Sequence, residues 1–233
     1  MKTTLKALII LIVACSFTFL KNDCDTLVFF KEGAQLTMTS YNDDGKLTGT
    51  TKTIYSKVIK NADGATVTAN QENYNKKGKL DSKNEFTIKC IKGTLFFDMK
   101  MMLTEDQSKN NKDFEMTVEG ADKEIPTKFV VGSTLKDANI TITFKTKEGA
   151  EVPLSKINFK VTNRKVEAKE NITTPAGTFE CYKLSENVEM KTLFSFKVKS
   201  INWFSLEAGN VKTESYKENR KFISKTELTE IKK

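Results

Sequence analysis

Ile140-Thr141-Ile142-Thr143-Phe144-Lys145 alternates apolar and polar residues at period two. Successive side chains of a strand point to opposite faces, so this run predicts a β-strand with Ile140, Ile142 and Phe144 buried and the other face wet. Outward from it, Phe114, Met116 and Val118 stand against Glu115, Thr117 and Glu119, and Phe194, Phe196 and Val198 against Ser195, Lys197 and Lys199. Leu95, Phe97, Met99 and Met101 make a further apolar row with Asp98 and Lys100 opposite. Helix signals are sparse, the one candidate being a short polar stretch around Thr104 to Lys112 with Thr104 as its cap.

Between the strand signals lie NDDGK (42 to 46), NADG (61 to 64), NKKGK (75 to 79) and KEGAEVP (147 to 153). Glycine reaches positive φ without steric cost, and Asn and Asp side chains satisfy the turn backbone, so these read as hairpins. Tyr41-Asn-Asp-Asp-Gly45-Lys-Leu47 is echoed by Tyr74-Asn-Lys-Lys-Gly78-Lys-Leu80 and, more loosely, by Tyr216-Lys-Glu-Asn219-Arg-Lys-Phe222. The echo reads as one hairpin built three times, with Gly or Asn at the left-handed position, and not as a solenoid repeat. The fold class is all-β and antiparallel, one domain over residues 17–233, with the turn region from Glu119 to Pro126 as the one place that would divide two sub-halves of a sheet system.

MKTTLKALIILIVACS (1 to 16) sets Lys2 and Lys6 before an apolar run, the layout of a secretory signal ending at residue 16, or as far as about residue 20. Two readings share its end. Ala14 and Ser16 suit ordinary cleavage, releasing a chain that begins at Phe17, whereas Ile12-Val13-Ala14-Cys15 resembles a bacterial lipobox in which Cys15 is lipidated. An uncleaved anchor is the remaining alternative. The chain is thus expected to be exported, to the periplasm or cell envelope, and to meet the membrane only through such a lipid anchor. Cys24, Cys90 and Cys181 then remain, enough for one disulfide and one free thiol. Cys90 alternates with Phe86 and Ile88 and so reads either as a buried thiol or as half of a bridge, for which Cys24 is the partner expected.

Composition excludes more chemistry than it suggests. The chain carries a formal charge of +8, which falls to +6 when Lys2 and Lys6 leave with the signal, and only Arg164 and Arg220 are arginines. Nucleic-acid sites favour the planar, bidentate guanidinium and clustered cations; here the lysines are spread along strands, so nucleic acid is not an expected partner. There is no histidine. Ser-His-Asp and Cys-His catalysis, His-based zinc sites and the commonest general base near neutral pH go with it. No phosphate-cradling loop, dinucleotide fingerprint or calcium loop is present. A carboxylate pair of the glycosidase kind is the surviving enzymatic option, and no residues nominate one. No enzyme, metal or cofactor is expected.

Two segments are richer. Thr174-Pro175-Ala176-Gly177-Thr178-Phe179-Glu180-Cys181-Tyr182-Lys183-Leu184 sets a Pro/Gly turn before a strand, and Trp203-Phe204-Ser205-Leu206-Glu207-Ala208-Gly209-Asn210-Val211-Lys212 holds the single tryptophan, with Gly209 placed to permit a bend or bulge. Together with KEGAQLTMTSYNDDGKLTGT near the start, they resemble the TapB-like group of exported β-rich proteins of Gram-negative bacteria, from about Cys24 to Ile231. That resemblance implies a large, strongly curved antiparallel sheet, an open barrel or sandwich similar in outline to envelope lipoprotein carriers, and carries over no catalytic residue.

A noncatalytic envelope binding module follows, its curved sheet cupping a lipid or other apolar small molecule. Flexible methionines suit an adaptable wall. The wall residues expected are Phe97, Met99, Met101, Phe179, Trp203 and Phe204. The alternative is a structural protein that docks an envelope protein partner through a strand edge or outer sheet face.

Overall fold

The hairpin signals become turns between neighbouring strands. The computed structural model describes residues 24, 27–98, 101, 114–120, 122–146, 148 and 151–232, with 114–116 and 151–155 described by backbone alone. The signal segment with Cys15, Met99, Met102 and the polar stretch around Thr104 to Lys112 lie outside the described residues. The strands are β1 (Gln35–Asn42), β2 (Leu47–Asn61), β3 (Gly64–Asn75), β4 (Leu80–Ile91), β5 (Thr94–Phe97), β6 (Phe114–Gly120), β7 (Lys123–Pro126), β8 (Ala138–Thr146), β9 (Glu151–Thr174), β10 (Gly177–Lys191), β11 (Ser195–Ser205), β12 (Gly209–Tyr216) and β13 (Phe222–Lys232).

The three echoed segments are the β1–β2, β3–β4 and β12–β13 turns. In each, an Asn side-chain oxygen accepts a turn N–H: Asn42 from Lys46 at 2.8 Å, Asn75 from Lys77 at 2.9 Å and Asn219 from Lys221 at 3.1 Å. The left-handed residue is Gly45 and Gly78, each at φ 74°, but in the third copy it is Arg220 at φ 66°, not the Asn or Gly expected there. A side chain in this region costs about 1–2 kcal/mol, of which glycine's freedom in the unfolded chain returns roughly 0.4–1 kcal/mol. Arg220→Gly is therefore expected to stabilise the protein by about 0.5–1 kcal/mol, read as a rise of roughly 2 °C in Tm.

All thirteen strands form one antiparallel sheet in the order β6-β8-β9-β10-β11-β12-β13-β1-β2-β3-β4-β5-β7. Its edges, β6 and β7, are consecutive in sequence, separated only by residues 121 and 122. Three residue steps span at most about 11 Å. A flat sheet of this width cannot bring its edges so close, so the sheet must curl into an open barrel. The Glu119–Pro126 region is thus no divider between sub-halves: it is the link by which the chain leaves one edge and joins the other, and no ladder joins β6 to β7 among the described residues.

Inside the curl lies the main core, which includes Leu36, Val67, Ile88, Leu95, Leu184, Phe204 and Leu228, and the 3-10 turn Val28–Phe30 inserts into it with all three side chains buried. A disulfide joins Cys24 to Cys90 and ties this turn to the end of β4. A smaller cluster of Ala138, Ile140, Ile142, Phe159 and Val161 sits under β8 and β9, where the sequence pattern is cleanest. The apolar row from Leu95 is shorter as a strand than its spacing implies. β5 ends at Phe97, and the Met101 N–H then closes a turn onto the Asp98 carbonyl.

Candidate ligand cavity

A cavity of about 310 Å³ lies within the curled sheet. Its deep wall is aromatic. Phe29, held by the 3-10 turn, meets Tyr55 and Phe97 edge to face at centroid distances of 5.4 and 5.9 Å and Phe204 at 6.3 Å. Backbone bonds fix the turn onto β2: Gly33 N–H donates to Tyr55 O and Tyr55 N–H to Ala34 O. Burial pushes the Tyr55 phenol far above its ordinary range, so it stays neutral. Met38, Phe86, Ile88, Met101 and Ile125 extend the apolar lining.

Along the strands this lining turns polar, with Lys123 its one charged member. The same-face sequence is Leu36, Met38, Ser40 on β1; Ala69, Gln71, Asn73 on β3; Ile88, Phe86, Asn84, Ser82 on β4; and Phe204, Asn202, Ser200 on β11. These hydroxyls and amides bond across strands, Ser40 with Thr226 at 2.8 Å, Thr51 to Asn73 at 2.8 Å and Asn73 to Ser82 at 3.1 Å. Asn84 Oδ1 and Asn210 Oδ1 are buried with no partner among the described residues. The inner surface is therefore amphipathic, aromatic at one end and hydroxyl- and amide-bearing at the other.

One charged cluster borders it. Glu186 is buried on the inner face of β10 and accepts from Lys123 Nζ at 2.6 Å, Asn202 Nδ2 at 3.0 Å and Arg164 Nε at 3.3 Å. A bulge places the arginine: Ser185 pairs with Lys165 and Asn187 with Thr162, so Asn163 and Arg164 together oppose Glu186. Asn163 takes the left-handed conformation at φ 53°, which Asn tolerates better than most residues, and the bulge re-aims Arg164 inward. Arg164 Nη1 also donates to the Lys136 carbonyl. Burial alone would raise the Glu186 pKa, but Lys123 and Arg164 outweigh it and hold the carboxyl below its usual range. This suits a fixed charge better than a proton donor, which needs a raised value.

Of the residues singled out from sequence, Phe97, Met101 and Phe204 line the cavity and Met99 lies outside the described residues. Phe179 and Trp203 are buried but line none of it. Trp203 precedes Phe204 in a strand and so faces the other way. Its indole N–H donates to Glu170 at 2.5 Å, and Lys183 and Lys212 lie 5.4 and 4.7 Å from the ring centroid. Cys181 is a free, buried thiol, pushed up to about 12 by burial with help from Glu170 and Glu180, and is inert. Sequence reasoning missed Phe29, Tyr55, Lys123 and Glu186. Glu186 alone left a signal: it shares parity with Tyr182, Leu184, Val188 and Met190, a charge on an apolar strand face.

Residues 31–228 match the model of the DUF3108-like family. Two solved structures share the fold. One is a Bacteroides fragilis protein designated exported and YmcC-like in fold, at a TM-score of 0.70 and 24% identity over 87% of this chain and 97% of that one. The other is a Parabacteroides distasonis protein designated a lipoprotein, at 0.70 and 24% over 88% and 99%. No curated protein matches the chain.

Proposed function

The chain belongs to the DUF3108-like family, and from that membership and the cavity we propose a noncatalytic exported protein of the cell envelope that holds a lipid or other apolar molecule inside its curled sheet. The TapB-like grouping read from the sequence is part of this proposal. Export is supported by the signal-like first sixteen residues and by the designations of the two fold neighbours. The noncatalytic reading is supported by the state of Glu186, whose carboxylate is committed to Lys123 and Arg164.

The observation that carries the ligand is the amphipathic cavity. Its volume of about 310 Å³ falls at the small end of ligand pockets, roughly 300–1,000 Å³, and aromatic walls with a few polar groups at one end are their usual lining. A hydrocarbon portion would lie against Phe29, Phe97 and Phe204, with a polar portion toward Asn202, Asn210 and Lys123, whose charge is already paired with Glu186.

Native mass spectrometry of the protein purified gently from envelopes, followed by organic extraction, tests this. A bound molecule that extracts into organic solvent is expected. Met38→Gln with Met101→Gln should reduce its recovery at least tenfold with Tm changed by only a few degrees, since both residues are only partly buried. Equal recovery from the variant would sink the assignment, and a bare wild-type chain would favour the alternative, docking of an envelope protein. The same spectra show whether Cys15 carries a lipid or the chain starts near Phe17.

A further inference from the structure

The β10–β11 hairpin ends in Lys191-Thr192-Leu193-Phe194-Ser195-Phe196-Lys197. Leu193, Phe194 and Phe196 are 75%, 84% and 56% exposed, and the first two are the most exposed large apolar residues among those described. A turn gains nothing from such residues, because glycine, Asn, Asp or Ser would form it without exposing hydrocarbon to water. The neighbouring strand β12 reaches along β11 only to Lys199, which pairs with Tyr216, so Ser195 to Val198 run on beyond the end of β12.

Cations surround this apolar tip. Lys191, Lys197 and Lys199 are exposed on the hairpin itself, and Lys217 and Lys221 on the adjacent β12–β13 turn; Glu189, bonded to Ser195, and Glu218 are the nearby acids. The pairing of Asn42 with Ser224 and of Gly49 with Asn75 sets the β12–β13, β1–β2 and β3–β4 turns side by side. Leu47 and Leu80, 42% and 41% exposed, follow Lys46 and Lys79 at two of these turns. Acids accompany them: Asp44 pairs with Lys46 at 3.4 Å, Asp43 lies beside it and Asp81 follows Leu80, so the β1–β2 turn adds nothing to the lysine excess of the β10–β11 and β12–β13 turns.

We infer that this end of the sheet, led by Leu193, Phe194 and Phe196, is a docking site for an anionic phospholipid bilayer. A bilayer supplies hydrocarbon for the tip and phosphates for the lysines at adjoining depths, the two chemistries the hairpin presents together. A second copy of the chain would bring like charges together. The site shares no residue with the cavity, and it orients the sheet with these turns toward the membrane.

The test is co-sedimentation of the protein, purified with Cys15→Ser so that no acyl chain contributes, with vesicles of phosphatidylcholine alone or mixed with phosphatidylglycerol. Binding to the mixed vesicles is expected, weaker in high salt and weaker on phosphatidylcholine alone. Leu193→Ser with Phe194→Ser should lower binding at least about tenfold, since each buried apolar side chain is worth more than that. Lys191→Glu with Lys197→Glu should also cost tenfold or more, at about fivefold per lysine near a charged surface. All four side chains are exposed, so Tm should hold. Equal binding by the Leu193/Phe194 variant, equal binding to both vesicle types, or no binding by the parent protein would each overturn the inference.

Discussion

Gly209→Val is expected to destabilise the protein by about 3–5 kcal/mol and lower Tm by roughly 10 °C, whereas Gly45→Val costs only about 1–2 kcal/mol. Both glycines sit at nearly the same φ, 77° and 74°, so both substitutions carry the penalty of a side chain in the left-handed region. Only Gly209 is crowded. A Cβ there would come within 2.3 Å of the Phe29 ring, and one at Gly45 would meet nothing within 4 Å. Phe29 cannot swing away cheaply, because Tyr55, Phe97 and Phe204 hold its ring on other sides and the ring forms part of the cavity wall. Urea denaturation of the two variants isolates the contact, and Phe29→Ala in the Gly209→Val background should cost less than Phe29→Ala alone, since the smaller ring site receives the new methyls. A Gly209 variant as mild as the Gly45 one would mean that the 3-10 turn does not pack against this corner.

Much of this architecture is written in local pattern. The alternation at Ile140 to Lys145 and the turn residues of NDDGK, NADG and NKKGK become β8 and three hairpins because period-two burial and positive-φ residues act over a few positions. What is not local is less legible. Nothing near Glu119 to Pro126 announces that the chain crosses from one sheet edge to the other, since that depends on the curl accumulated over all thirteen strands. The cavity wall divides the same way. Phe97 and Phe204 were readable as large apolar residues on strands, but which of Trp203 and Phe204 faces inward follows from the direction of curl, which sequence spacing does not encode. Phe29 lies in a non-periodic turn before the first strand and gains its place only through the chain's return to β2 and the Cys24–Cys90 bridge. Arg164 reaches Glu186 through a bulge in a strand whose composition shows none.

That buried ion cluster carries the other large effect, and pH separates its parts. Glu186→Gln keeps the side chain's shape and one acceptor oxygen but leaves Arg164, whose side chain is 1% exposed, with an uncompensated charge that it cannot lose by deprotonation. Removing one partner of a buried pair costs about 3–5 kcal/mol. Lys123→Met should cost clearly less, because the lysine is 22% exposed and the Glu186–Arg164 pair survives it. The acid limb then identifies the carboxylate. Lys123 and Arg164 hold Glu186 below its ordinary value of 4.5 in the folded state, so between the folded and unfolded pKa the unfolded chain binds the proton more readily. The contribution of Glu186 is therefore fully present above the unfolded value and is lost as the pH falls through the folded one. Denaturant titrations from neutral pH downward should show the gap between wild type and Glu186→Gln constant until about pH 4.5 and narrowing below it, with the variant's stability less sensitive to acid. A gap that stays constant to pH 3 would mean that ionised Glu186 does not neutralise Arg164, and that the bulge at Asn163 and Arg164 serves packing alone.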